Sequence, residues 1–599
     1  MRRTGGWPAA FLLLAAWAAH ADETAGRPHH ESPAPVAALP GATPCPSRGE
    51  SLGGIAAPAH AAATLAPHRA AVASAYPLAT EAGEAMLKRG GNAFDAAVAV
   101  SAALAVVEPT SSGLGGGGFY LLHRASDRFE TMLDAREKAP AAASRDMYLD
   151  AEGNPVERAS TVGARAAAIP GEPAAFEYLA EHFGRLPLAV SLAPAIRLAR
   201  EGFPLYARLQ NAIRFKHELL LHSPAAAKVF LTADGQVPEL GAIIRQPELA
   251  QTLEAIAAQG AKGFYRGRVA EDLVRGARAE GGIWTRADLE SYRVIERKPL
   301  VGRFGEARIV SASPPSSGGV ALIDALHILS GYDLPRLGAV TRKHLVIEAM
   351  QRAFRDRAVY LGDPDFVEMP LAQLTSVDYA AGQRSSIRLD KAMPSDLLPG
   401  VEPAPVGPST THLSVLDAAG NEVAATISIN LFFGSGVMPA GTGVFLNDTM
   451  DDFSVKPNTP NAFGLVGNQQ NDIQPGKRPL SSMTPSFVTT PSGTMIIGTP
   501  GGSYIISMVI LGTLDYLEGQ SAAQIVSDPR YHHQFLPDVV EYEPGAFTPA
   551  EVSALAAMGH QLEQGTRRWG NMEVITWDFA SGKVEAASDP RGEGSGLVY

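Results

Sequence analysis

Cysteine is almost absent: Cys45 is the only one in 599 residues. That excludes an internal disulfide framework and any CxxC metal site. Positive charge is also short, with 50 Lys and Arg against 62 Asp and Glu and a formal net charge of −12. A general nucleic-acid binder needs a basic face for phosphate contacts, so that class is excluded. Long apolar runs are missing as well. The one candidate, Ala9 to Ala19, is too short to span a bilayer. Aromatic residues at 7% and the absence of any repeat of about 20 to 50 residues leave no coiled-coil, collagen or solenoid bias. What remains is a globular chain, 46% hydrophobic and rich in small residues, with 60 Gly and 45 Pro.

The short apolar run has a different use. Arg2 and Arg3 precede it and Ala19-His20-Ala21 follows it, so residues 1–21 read as a secretory signal and the mature protein is expected in the periplasm or secreted. Residues 22–57 are Ala-, Pro- and Gly-rich without periodicity, the composition of a flexible leader. The folded part is expected from about Pro58. Thr80 to Val107 is helix-forming apart from Gly90-Gly91-Asn92, where Asn92 can cap a second helix that is apolar on every face and therefore buried. Residues 170 to 300 alternate amphipathic helices with Pro and Gly stops, as at Glu172 to Phe183 and Gln246 to Gln259.

From Thr410 the pattern changes to β-branched and small residues. Thr411 to Val415 and Val423 to Ile429 read as two strands joined by a turn at Ala418-Ala419-Gly420-Asn421. Folding about residues 419 and 420 pairs Asp417 with Glu422 and returns Ser428, Ile429 and Asn430 beside Ser409, Thr410 and Thr411. Hydroxyls and an amide then gather at one end of the ladder. The loop Lys456 to Arg478 is long enough to be a lid. Gly501-Gly502 presents two backbone N–H groups with no side chain in the way, as an oxyanion hole requires.

These pieces combine into something specific. TTHLSVLDAAGNEVAATISIN, then NDTMDDFSVKP, KRPLSSMTPS, GTPGGS and DPRYHHQFLP, resemble the small subunit of the γ-glutamyltranspeptidase (glutathione hydrolase) family. Upstream, EPTSSGLGGGGFYLLH, DAREKAP and PPSSGG resemble its large subunit. The resemblance runs in family order from Pro58 to Tyr599. It implies an α/β (α+β) fold of the N-terminal-nucleophile hydrolase type, a four-layer αββα sandwich made as an inactive precursor. It also implies a cut between Ser409 and Thr410, giving a large subunit ending at 409 (the folded span 58–409) and a small subunit of 410–599, both within one αββα unit. The Thr410 hydroxyl would attack the Ser409 carbonyl, the acyl group would move from nitrogen to oxygen, and water would hydrolyse the ester. The freed α-amino group, with a reference pKa of about 7.7 to 8.0, is then a base that the uncut chain lacks.

By the same resemblance Thr410 is the nucleophile toward γ-glutamyl amides such as glutathione, and water, an amino acid or a dipeptide resolves the γ-glutamyl ester. Ser428 stands where members commonly carry threonine, and Gly501 and Gly502 match the oxyanion glycines. Arg136, Ser481 and Ser482 match the site for the substrate's α-carboxylate, which suits a planar guanidinium. Asn430 and Asp452 match the α-amino site. No metal, cofactor, nucleic acid or membrane partner is implied. Two positions depart from the pattern: Thr449 replaces Gln or Glu at the α-amino side, and Phe463 replaces a lid tyrosine of some bacterial members.

Other readings are weaker. Gly113 to Gly118 satisfies G-x-G-x-x-G, with Asp134 about 20 residues on, but it follows a helix and not a strand. His532-His533 does not present both rings to one side, so it makes a poor metal pair. The competing readings that remain are a related acylase for cephalosporin, glutaryl or poly-γ-glutamate substrates, and an uncut, silent binding protein.

Overall fold

In the computed structural model, which describes residues 66–398, 410–457, 459–566 and 568–599, Gly90 adopts φ 87° and ends the first helix, Pro77–Lys88. The side chain of Asn92 accepts from Phe94 N and Asp95 N and starts the second, Ala93–Val107, in which every residue is buried. The helices Glu172–His182 and Pro247–Gln259 also form as the sequence predicts. The expected signal and leader, and Ser409, lie outside the described residues.

The β-branched segments build two antiparallel sheets. The seven-stranded sheet runs Ser595–Val598, Ala71–Ser74, Thr411–Leu416, Glu422–Ser428, Gly117–Arg124, Phe129–Asp134, Ile295–Arg297. The six-stranded sheet runs Val584–Ser588, Glu573–Asp578, Gly493–Gly498, Ser486–Thr490, Ala307–Ser311, Leu300–Phe304. One core, with Phe119, Leu121 and Leu416 from the first sheet and Val310, Phe487 and Ile496 from the second, lies between them. The outer face of the first sheet packs on Ala93–Val107 and its neighbours, and that of the second on Gly318–Leu329, Ala339–Tyr360 and Tyr504–Leu517. The order is therefore helix, sheet, sheet, helix. Each sheet takes strands from both sides of residue 410. No helix among the described residues is long and apolar enough to cross a membrane.

The central hairpin forms, with its register one residue away from expectation. Glu422 pairs with Leu416, and Ile427 with Thr411. The reason is the loop: Asp417 N donates to Asn421 O, while its carboxylate accepts from Ala419 N, Asn421 N and Asn421 Nδ2. Asp417 is thereby held in a five-residue turn and is not a strand partner. The shift places Ser428, and not Ile429, across from Thr410.

Glycine permits the close approaches around this hairpin. A Cβ on Gly116 would lie 2.0 Å from Ser428 O. The glycine run thus enters a strand beside the hairpin, and no helix follows it as a dinucleotide loop requires. Between the sheets, a Cβ on Gly498 would lie 2.2 Å from the His412 ring. His412 is fully buried and bonded to Thr426 Oγ1 at 2.8 Å.

Burial pushes the imidazoles of His412, His532 and His560 down to about 3, with the His344 and His533 charges adding to the effect at His560. An unfolded histidine titrates near 6.5, so between about 6.5 and 3 the unfolded chain binds protons that the folded one refuses. Stability should therefore fall as pH drops through that window, by up to about 1.4 kcal/mol per pH unit for each histidine. Melting temperatures from pH 7 to 4.5 should show the decline, and His532→Gln should make it shallower. An unchanged slope in the variant would refute the assignment.

Candidate active site

The corrected register brings two hydroxyls together at the end of the ladder. Thr410 Oγ1 and Ser428 Oγ are 3.3 Å apart. Ser428 Oγ accepts the Asn430 N–H at 2.8 Å, which leaves its own hydrogen free to point at Thr410. Asn430 sits at φ 78°, a left-handed conformation that is strained for a residue other than glycine. It is held there by Nδ2 donating to Asp448 O at 3.1 Å and by its neighbour Ile429 N donating to Ser111 O at 3.2 Å.

Around these hydroxyls lies a small, tight pocket lined by Arg136, Ser481, Ser482, Asn430, Asp452 and Gly502, among others. The structure thus brings together nearly all the side chains expected from sequence. Arg136 follows the strand Phe129–Asp134, and Asp452 ends the short 3-10 turn Thr449–Asp452. Arg136 Nη2 donates directly to Asp452 Oδ2, so the two are already an ion pair. Arg136 Nε donates to Pro479 O at 3.3 Å, and Nη1 to Glu137 Oε2 at 3.4 Å. Burial pushes the Asp452 and Glu137 carboxyls up, while the Arg136 guanidinium pulls both back toward ionisation. Ser482 Oγ is buried and has no hydrogen-bond partner.

Gly501 and Gly502 stand at φ 144° and 58°, immediately before the helix Tyr504–Leu517. Their N–H groups therefore belong to the positive end of a helix dipole. Phe463 of the lid covers Gly502, where a Cβ would lie 2.4 Å from the ring. Lid residue Asn461 donates Nδ2 to Asp452 Oδ1 at 3.3 Å. Thr449 does not line the pocket with the others. It is fully buried and gives its hydroxyl to Glu137 Oε1 at 2.8 Å, so it reaches the site only through Glu137 and Arg136.

Three supporting residues escape a reading of sequence alone, although Arg478 and Asp134 lie in motifs already noted. Arg478, in KRPLSSM, donates Nη1 to Asp134 Oδ1 at 3.0 Å and to Arg136 O at 2.6 Å. Tyr292 donates its hydroxyl to Arg136 O at 2.7 Å, and Asp134 Oδ1 accepts Arg136 N at 2.9 Å. The backbone of Arg136 is therefore clamped by the residue that also begins the Ser481–Ser482 arm. Elsewhere, His344, Glu348 and His560 could surround a metal ion. Their groups already satisfy one another and their neighbours: His344 Nδ1 and His560 Nε2 are 2.7 Å apart, and Glu348 takes Arg352 Nη1 and Met393 N. His532 and His533 bond to Ser507 and Gln534 and to Asp538.

Comparison with known proteins agrees with this geometry. The gamma-glutamyltranspeptidase family model matches residues 79–599. A protein of Pseudomonas sp. (strain A14) named glutathione hydrolase proenzyme is 42% identical over 496 residues, covering 82% of this chain and 86% of its own. Among solved structures, cephalosporin acylase from Bacillus halodurans superposes with a TM-score of 0.78 at 28% identity, over 94% of this chain and 99% of its own. Helicobacter pylori gamma-glutamyltranspeptidase gives 0.54 at 40% identity, over 55% of this chain and 94% of the compared one.

Arg478→Gln removes the clamp while leaving every pocket-lining side chain in place. Initial rates on a γ-glutamyl anilide should show KM raised about tenfold or more, the equivalent of about 1.4 kcal/mol. Calorimetry should show a lowered Tm, because Asp134 loses a buried partner. Wild-type KM in the variant would mean that Arg136 is held without Arg478.

Proposed function

The chain belongs to the gamma-glutamyltranspeptidase family, and from that premise we propose that it is an enzyme precursor that cuts itself between Ser409 and Thr410. Thr410 then transfers γ-glutamyl groups from amides, glutathione and its conjugates among them, to water, an amino acid or a dipeptide. The observation that carries this reading is what the pocket wall contains. Its only ionisable side chains among the described residues are Arg136 and Asp452, and they are bonded to each other. The carboxylate on that wall is thus committed to a guanidinium, while attack by a threonine hydroxyl calls for a base. Freeing the nitrogen of Thr410 itself creates one at about pKa 7.7 to 8.0.

In this mechanism the Thr410 amine accepts the proton as Oγ1 attacks the amide carbonyl. The Ser428 hydroxyl, 3.3 Å away, donates to the nucleophile oxygen and keeps its lone pair directed. The developing oxyanion lies against the N–H groups of Gly501 and Gly502, where one donor is worth about 2.7 to 4 kcal/mol. The ammonium of Thr410 returns its proton to the leaving amine. Water or an amine acceptor, deprotonated by the same group, then opens the ester. The large chain, ending at 409, and the small chain, 410–599, stay together because both sheets interleave their strands. The Helicobacter pylori comparison supports the cut, since 55% of this chain accounts for 94% of that solved chain. Residues 1–21 would direct the precursor out of the cytoplasm.

The Arg136–Asp452 pair sets the acyl specificity. A γ-glutamyl group carries both a carboxylate for Arg136, Ser481 and Ser482 and an ammonium for Asp452 and Asn430, so each charge changes partner and none is stranded. A glutaryl group separates the pair and leaves Asp452 uncompensated. Breaking a buried pair on one side costs about 3 to 5 kcal/mol, or roughly two to three and a half decades.

Two measurements test the proposal. Thr410→Ala should persist as one uncut band without turnover, and N-terminal sequencing of the wild-type small chain should begin at Thr410. The purified wild type should release aniline from a γ-glutamyl anilide at least about a hundredfold faster in kcat/KM than from a glutaryl anilide. A preference for the glutaryl compound would make the protein an acylase of the same fold.

A further inference from the structure

The segment Pro314–Gly319 has no part in the mechanism above, yet it is laid along the carboxylate arm of the pocket. Ser481 N donates to Pro315 O at 2.8 Å, and Ser317 N donates to Ser481 O at 2.8 Å. Ser317 Oγ donates to that same carbonyl at 2.6 Å. A hydroxyl has one hydrogen, so Ser317 Oγ can meet a further group only as an acceptor. The group it meets is Arg357, whose Nε donates at 3.1 Å. Arg357 projects from the long helix Ala339–Tyr360 and is 5% exposed. Burial lowers its guanidinium to about 10, which leaves it cationic at neutral pH, and the Asp452 charge favours that form.

The consequence for the arm is directional. Ser481 Oγ accepts from Met483 N at 3.1 Å, so its hydrogen is available to the pocket. The neighbouring Ser482 hydroxyl is buried without a hydrogen-bond partner. Both hydroxyls keep this orientation only while the Ser481 backbone is fixed, and that backbone is fixed by Pro315 and by Ser317 with Arg357 behind it.

We propose that Arg357 is a positioning residue for the α-carboxylate of the substrate: acting through Ser317, it holds the Ser481–Ser482 turn so that both hydroxyls face that carboxylate, and it sets a second guanidinium behind that turn. This rests on the γ-glutamyl reading above. Arg357 thus adds a cation behind the arm, and with Arg136 it offsets two carboxylates, Asp452 on the wall and Glu137 behind it.

The test separates a role toward the carboxylate from general support of the fold. Self-cleaved wild type, Arg357→Gln, Arg357→Lys and Ser317→Ala are assayed on L-γ-glutamyl-p-nitroanilide and on 4-aminobutyryl-p-nitroanilide, which lacks only the α-carboxylate. Active sites are counted with an irreversible threonine label. Arg357→Gln should raise KM for the γ-glutamyl anilide about tenfold or more with kcat within about threefold, and should change kcat/KM for the 4-aminobutyryl anilide by less than about threefold. Arg357→Lys, which keeps the charge without the planar fork, should recover part of the loss. If Arg357→Gln fails to mature, Ser317→Ala carries the test, with the same selective rise in KM expected. Equal losses on both substrates, or no loss on the first, would overturn the inference. A wild type that does not distinguish the two anilides would instead overturn the γ-glutamyl reading.

Discussion

A guanidinium and a carboxylate kept out of water beside the Thr410 hydroxyl are the constraint on which this site depends. The Arg136–Asp452 pair is tolerable only because the remaining donors and acceptors of both groups are met. Pro479 O and Glu137 serve the arginine, and Asn461 Nδ2 reaches the aspartate. The backbone of Asp452 is fixed by Asn471 Nδ2 at 2.7 Å. These partners come from a strand end, a 3-10 turn, the lid and the Ser481 arm, so the ion pair forms only when all four have been brought to one place. Buried charge is a poor source of stability but a demanding specification of geometry.

The two sheets satisfy that specification by stacking, with glycine wherever the backbones come closest. Thr410 immediately precedes one strand and Ser428 ends its neighbour, while Gly501 and Gly502 follow a strand of the opposite sheet. Gly116 beside Ser428 O, Gly498 beneath His412 and Gly502 beneath Phe463 each occupy a position where a methyl group would overlap an atom already present. Glycine serves here as absent volume, and at Gly501 and Gly502, where φ is positive, its conformational freedom matters as well.

Much of this was legible in the sequence because it is local. Asn92 caps its helix through atoms two and three residues away, and the fully apolar helix after it needs no knowledge of its neighbours to be placed inside. The pocket side chains were legible as motifs. The hairpin register was not, because it turns on whether Asp417 folds its carboxylate back onto Ala419 and Asn421, and such competition between side chain and ladder leaves no periodic trace. The contact of Thr449 is hidden for a related reason: position along the chain puts it near the α-amino side, whereas its hydroxyl bonds to Glu137, 312 residues away in sequence. The supports at Arg478, Ser317 and Arg357 are likewise contacts between distant segments, and composition carries no record of them.

Sharing a fold with an acylase does not decide which acyl group is taken, because the αββα frame sets where the Thr410 hydroxyl, Gly501-Gly502 and the pocket lie, and leaves the pocket's charge to a few side chains. Here that charge can be followed group by group. Arg136 touches two carboxylates, Asp452 and Glu137, and Arg357 stands behind the Ser481 arm as the second cation. The wall is close to electroneutral before any substrate enters. A zwitterionic acyl group preserves that balance and a singly charged one disturbs it, so in a low-dielectric pocket the preference follows from charge conservation more than from shape. Thr449 fits this picture: an uncharged hydroxyl on Glu137 leaves the count unaltered, whereas a further carboxylate at that position would add a negative charge beyond those that Arg136 and Arg357 offset.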